Sequence, residues 1–395
     1  MTIVERFYTR RLAGVRLGLL AAGLFVVGTN AFVIAGVLPQ IAADFSVRTA
    51  AVGYSITWYA VVVAVASPVV STVLARMPRT RLMAAGMLLV AAGTAVTAVA
   101  PDLTAFTAGR VVAALGGAAL VPAATAAAPA MLPADQRGRA LAIAALGFTL
   151  ATAVGSPIGT ALAASGGWRL PLAALSVLGL VLSIAIAVIV RGVPTGPAIR
   201  LPQRFGLLRR GRVLLALVAT LFVTAGFNVV YIFRAPVAGP ATAGNGGLLA
   251  VLLLVYGGGG IVGTLLAGRY TDRLGSRTVA VVAIGIMLAV YLLLPVVRGS
   301  FPALAVAFGV WGVGAFAAGV PIQHRLVAID PASAGLALSW YSTAMYIGIA
   351  LAPLLGAVAL GAGAQDVPLA GAGAVLVALL ALLLGFARPR GRLAV

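Results

Sequence analysis

The sequence predicts an all-α polytopic membrane protein in which twelve transmembrane helices form two pseudo-symmetric six-helix bundles. Three observations predict it: a dozen apolar runs each about long enough to cross a bilayer, arginines confined largely to alternate loops, and landmarks that recur half a chain apart. Composition agrees. Hydrophobic residues make up 62% and charged residues 9% of the chain, with a mean hydropathy of +1.15, whereas soluble domains carry about 25% charged residues.

Taken in order, apolar runs bounded by charge or by Pro/Gly breaks give spans near 17-38, 50-75, 82-100, 104-131, 139-164, 170-190, 213-235, 247-268, 278-297, 301-323, 334-360 and 368-387. The first run is too long for a signal-peptide core and no convincing cleavage site follows it, so it is span one. The longest polar interruption, 191-212, is rich in Arg, Pro and Gly. It reads as a cytoplasmic linker between an N-terminal bundle, 1-190, and a C-terminal bundle, 213-395.

The two sets of spans repeat. Ser71-x-x-x-Ala75-Arg76-x-Pro78-Arg79 after span two returns 197 residues later as Gly268-x-x-x-Asp272-Arg273-x-Gly275-Ser276-Arg277 after span eight. Pro133 and Pro331 precede spans five and eleven at an offset of 198, and Pro157 and Pro353 sit within those spans at an offset of 196. A parallel repeat of six spans about an axis along the membrane normal accounts for all three.

All 27 basic residues are arginine, and the chain has no cysteine and one histidine, His324. Phosphate binding through a GK[ST] loop, lysine Schiff-base chemistry, disulfides and Cys/His metal sites therefore lack their raw material. No cofactor or metal is expected. The run Gly257 to Gly260 is read instead as close helix packing. Net charge +20 does not imply nucleic acid, because 22 arginines fall at the termini and in one set of alternate loops. Only Arg48, Arg169 and Arg298 fall in the other set, while Arg110 and Arg234 lie within spans. The positive-inside rule then puts both termini in the cytoplasm; a bacterial cytoplasmic membrane is the expected location.

Several segments carry a family resemblance. Span one has Gly28-Thr29-Asn30-Ala31-Phe32-Val33 and then Leu38-Pro39-x-Ile41-Ala42-x-Asp44; span four has Arg110-Val111-Val112-Ala113-Ala114-Leu115. Span five and its exit have Gly155-Ser156-Pro157-Ile158-Gly159 and Gly167-Trp168-Arg169, with Arg137-Gly138-Arg139-Ala140 and Pro321-x-Gln323-x-Arg325 elsewhere. Together these resemble the major facilitator superfamily, and within it the twelve-span drug:proton antiporter branch, the arabinose-efflux-permease-like exporters. The resemblance implies a secondary exporter of small molecules working by alternating access, not an enzyme. A sugar- or nucleoside-type facilitator or symporter is the alternative. Its partners are a small-molecule substrate, the lipid bilayer and, where coupling exists, protons; a monomer is expected. Two positions depart from the branch: Ala31 stands where glutamate is common, and Ala75 where the first loop motif has aspartate.

The candidate residues divide by role. Arg110, six residues inside span four, is too costly to face lipid, so it either is held by carbonyls and hydroxyls of span one or serves substrate binding or coupling. Arg234 reads as snorkelling from the outer end of span seven, with Asn228 and Tyr231 on the same helical face. Thr149, Thr152, Ser156 and Thr160 form a weakly polar stripe on span five, and Asn30, Tyr59, Trp311, Tyr341 and Tyr346 complete a candidate cavity. Gly155, Pro157 and Gly159 loosen span five. The loop motifs offer Arg76, Arg79, Asp272, Arg273 and Arg277 for gating, with Asp272 expected near Arg137 to Ile143. None of the seven acidic residues lies inside an apolar run, so proton handling, if present, is expected at Asp44, with Arg234 or Arg110.

Overall fold

A computed structural model describes residues 3–74, 76–132, 137–193, 206–330 and 334–386. Most of the linker, Ala75 of the loop motif and the Asp272 side chain lie outside the described residues. Twelve helices are long and apolar enough to cross a membrane: Leu12–Asp44, Thr49–Val70, Arg79–Ala98, Leu103–Ala127, Leu146–Gly166, Arg169–Ile189, Gly211–Ile232, Gly246–Thr271, Arg273–Val297, Phe301–Ile329, Ala337–Ala362 and Asp366–Phe386. They are spans one to twelve in chain order. Among the described residues there is no strand.

Two spans differ from the sequence expectation. Span seven does not stop near residue 235: after a break at Phe233 (φ −98°, ψ 20°) a second helix, Arg234–Thr242, continues it despite Pro236 and Pro240. Pro236 falls in the first turn, where its missing N–H has no partner to lose, whereas Pro240 lies inside the helix, two residues before its end. Span five is not one continuous α-helix. A π segment, Ala151–Gly155, separates Arg137–Leu150 from Ser156–Gly166, with the Ser156 N–H bonded to the Ala151 carbonyl. The second loop motif turns at Gly275 with φ +81°, a value only glycine adopts without strain.

Small residues set the spacing within each bundle. In the first, span three packs on spans four and six, and a Cβ on Gly86 would lie 2.9 Å from the Gly116 carbonyl. In the second, the glycine run of span eight does what close packing requires. A Cβ at Gly260 would meet Phe316 at 2.6 Å, and one at Gly263 would meet Val313 Cα at 2.8 Å, both on span ten. The bundles meet where span two packs on span eleven and span five on span eight. Thr57 donates to the Ala350 carbonyl at 2.9 Å, and Cβ atoms built on Gly257 and Gly246 would sit 2.5 Å from Ala153 Cα and 3.0 Å from Ala164 Cβ. These contacts run from mid-span toward the face whose loops carry few arginines.

Candidate functional site

A cavity lies at the seam, walled by both bundles: Phe32 of span one, Ile56 and Tyr59 of span two and Phe148 of span five face Asn228 and Tyr231 of span seven and Tyr346 and Ile349 of span eleven. The lining is apolar and aromatic with few polar anchors, and in this arrangement the enclosed space, about 10 Å³, is room for roughly one water molecule. Asn228 is 1% exposed, and its amide donates to the Thr224 carbonyl at 2.9 Å.

Two of the tyrosines are each backed by a buried guanidinium. Arg110 sits 4.3 Å over the Tyr59 ring, and its Nη1 donates to the Asn30 carbonyl at 2.6 Å and to Asn30 Oδ1 at 2.8 Å. Asn30 Nδ2 in turn donates to Thr94 Oγ1 at 2.6 Å, and Thr94 to the Val90 carbonyl. The chain of bonds ties spans one, three and four together, so Asn30 faces Arg110 and span three and not the cavity.

Arg234 does not snorkel. It is 0% exposed, because the helix Arg234–Thr242 carries span seven beyond it. Its Nη1 donates to the Tyr231 carbonyl, its Nη2 reaches Ser156 Oγ of the opposite bundle at 3.4 Å, and the guanidinium lies 4.1 Å over the Tyr231 ring. Span one is glycine where it passes: a Cβ on Gly36 would stand 2.9 Å from Arg234 Nη2. Ser156 follows the π segment and also donates to the Phe32 carbonyl at 3.3 Å.

Residues 20–353 match the family model of the Major Facilitator Superfamily. The chain belongs to that superfamily. Among curated facilitator relatives, an uncharacterized MFS-type transporter of Bacillus subtilis, YbcL, is 30% identical over 93% of this chain and 95% of its own length. The chloramphenicol resistance protein of Streptomyces lividans is 32% identical over 87% and 88%. The inner membrane transport protein YdhP of Escherichia coli O157:H7 is 29% identical over 94% and 95%. Solved structures share the fold: the nucleoside transporter NupG superposes with a TM-score of 0.74 at 13% identity over 96% of this chain and 100% of that one. A bacterial homologue of the human lysosomal transporter Spinster, inward-facing and unoccupied, gives 0.73 at 16% over 96% of each.

The remaining candidates of this facilitator are spread more widely than the sequence suggests. Trp311 belongs to an aromatic cluster inside the second bundle, 4.5 Å from Tyr256 and 5.3 Å from Phe308 between ring centroids. Tyr341 lies near Gly319 of span ten, its hydroxyl 2.9 Å from where a Cβ on that glycine would be. Thr152 and Thr160 bond back to the Phe148 and Ser156 carbonyls of their own helix, the common fate of such hydroxyls. Thr149 is half-buried on the same helix. Asp44 pairs with Arg169 at 2.5 Å and accepts from Trp168 Nε1 at 3.2 Å, not from Arg110 or Arg234, because the loop into span six lies beside the end of span one. Arg76, Arg273 and Arg277 are exposed at the two loop motifs, with Arg79 half-buried. Gly155, Pro157 and Gly159 are buried on span five. Sequence reasoning missed the cavity residues Phe32, Ile56 and Phe148, which carry no polar signal, and Tyr256, whose place beside Tyr231 depends on how spans seven and eight pack.

Proposed function

We propose that this chain is a secondary exporter of small uncharged or anionic molecules, alternating its cavity between the two sides of a bacterial cytoplasmic membrane. It acts as a monomer, with both termini and the arginine-rich loops in the cytoplasm. The observation that carries the reading is the 32% identity to a chloramphenicol resistance protein over most of both chains; removal of a drug from the cell is the simplest way a facilitator confers resistance. The cavity chemistry supports the substrate class. Aromatic walls suit a flat, partly apolar molecule, and two guanidiniums with no carboxylate in the cavity lining disfavour a lipophilic cation. Any proton coupling is then placed at the loop-side carboxylate Asp44 or on the substrate itself.

Purified protein in liposomes with an imposed pH gradient tests this, with labelled chloramphenicol as the neutral probe and a permanent cation as the contrast. Expected are protein-dependent chloramphenicol flux and none for the cation. Uphill export of the cation, undiminished in Asp44→Asn, would overturn the reading.

A further inference from the structure

We propose that the seam beside the cavity holds an anion subsite, in which the Arg234 guanidinium and the Tyr231 and Tyr256 hydroxyls receive a small anion or the anionic group of an organic substrate. The inference starts from an imbalance of charge and hydrogen bonding. A guanidinium removed from water costs several kcal/mol or more unless it is paired. Arg234 is fully buried, yet its bonds are one carbonyl three residues back on its own chain and one serine oxygen at the limiting distance of 3.4 Å.

Among the described residues its Nε and the Tyr256 hydroxyl have no hydrogen-bond partner, and the Tyr231 hydroxyl has Ser156 beside it but no well-formed bond. Both tyrosines are 0% exposed, and their ring centroids lie 5.7 Å apart. The guanidinium thus lies buried over one of two adjoining tyrosine rings, with an unused donor of its own and a formal positive charge. Ser156, whose hydrogen is directed to the Phe32 carbonyl, supplies the opposite wall.

Among the described residues no carboxylate pairs with that charge. The acidic residues are Glu5, Asp44, Asp102, Asp135, Asp272, Asp330 and Asp366, all at helix ends or in loops. Asp44 is the nearest along span one. It lies eight residues beyond Gly36, about 12 Å at 1.5 Å per residue, and it is held by Arg169. Arg110 differs in where its bonds go: Nη1 donates to two acceptors on Asn30 of its own bundle, at 2.6 and 2.8 Å, while its Nε and Nη2, like Arg234 Nε, have no partner among the described residues.

Tyr231 is the partition between cavity and subsite. It lines the cavity, while the guanidinium covers its ring. Separation of spans five and seven along the seam would break the long Ser156 contact first and admit an anion to the freed donors. The biological use of the subsite rests on the exporter reading; its existence does not.

The test is equilibrium binding by purified full-length protein in detergent, read as thermal stabilisation at constant ionic strength and constant sodium. The probes are chloride and benzoate, with gluconate as the bulky replacement anion and tetraphenylphosphonium as the cation. Expected is a saturable rise in Tm with benzoate, chloride or both, and none with tetraphenylphosphonium. Apparent affinity should fall about tenfold or more in Arg234→Gln, as the loss of a charge-assisted bond predicts, and be partly restored in Arg234→Lys. Tyr256→Phe, which keeps the ring and removes one donor, should weaken binding several-fold even if Arg234→Gln proves too unstable to purify.

Benzoate alone active would identify the occupant as a substrate group, and chloride competing with it as a free ion sharing the place. Absence of any saturable anion effect would overturn the proposal, as would one that Arg234→Gln and Tyr256→Phe both leave unchanged. Liposome flux separates the two readings. Anion binding without flux removes the exporter reading and keeps the subsite, whereas flux without Arg234-dependent binding does the reverse.

Discussion

Arg110 and Arg234 are the same side chain in two kinds of place. Each is buried and each lies over a tyrosine ring that lines the cavity. Arg110 is bonded entirely within the first bundle, to a residue of span one that is itself bonded to span three. Arg234 reaches across the seam and is bonded weakly there. Under the proposed alternating access, a contact inside one bundle would persist while a contact across the seam would be broken and remade. On that proposal the first arginine ties together one half of the fold, and the second joins the two halves in this arrangement.

Substitutions can break this contrast. Arg110→Met leaves the Asn30 carbonyl and Oδ1 without their donor, and should lower stability by about 2–3 kcal/mol, the range for hydrogen bonds to a charged group; the Tm of purified protein in detergent reads it. Arg234→Met should do the opposite and raise stability by about 1–2 kcal/mol, because an apolar side chain of similar length replaces a poorly paired buried charge. Equal losses in the two variants would refute the distinction.

The glycines sharpen it further. A Cβ at Gly257 would press on Ala153 Cα across the seam, while one at Gly258 meets nothing within 4 Å. Gly257→Ala should shift the balance away from this arrangement by about 1 kcal/mol, on the scale of a small overpacking, and Gly258→Ala should not. Spin labels at Arg48 and Gly361, on a chain that has no native cysteine, would report the change as a longer distance population. The smallest effect is expected for Asp44→Asn. Its ion pair with Arg169 is nearly half exposed on both sides, so the change in stability should stay within about 0.5 kcal/mol; downhill chloramphenicol flux should be retained, while any flux driven by the pH gradient through Asp44 should be lost.

The fold was legible because its signals are long and redundant: each span repeats its apolar character over many residues, and the repeat offset checks the count. The site was less so. Arg234 reads as snorkelling because the apolar run ends near residue 235, yet a second helix, Arg234–Thr242, carries the chain on and covers the guanidinium. Asn30 and Trp311 were grouped with the cavity because polar and aromatic residues in apolar spans look alike from sequence; only packing separates Trp311, stacked among Tyr256 and Phe308, from Tyr59, which faces the seam. The hydroxyl stripe on span five assumed a uniform period of 3.6, and the π segment breaks that period between Thr149 and Ser156.

That π segment sets the azimuth of the second half of span five. A turn closed by i→i+5 bonds holds one more residue than an α turn, so the helix from Ser156 onward is turned relative to Arg137–Leu150 by roughly the 100° that one residue subtends. If the extra residue were taken up again by the α ladder, Ser156 would swing off the seam and away from Arg234, while the first half of the span kept its place against span one. Rigid rocking of bundles and axial rotation of a single half-helix are different motions, and in this chain the second could loosen the one hydrogen bond joining Arg234 to the facing bundle before the first begins.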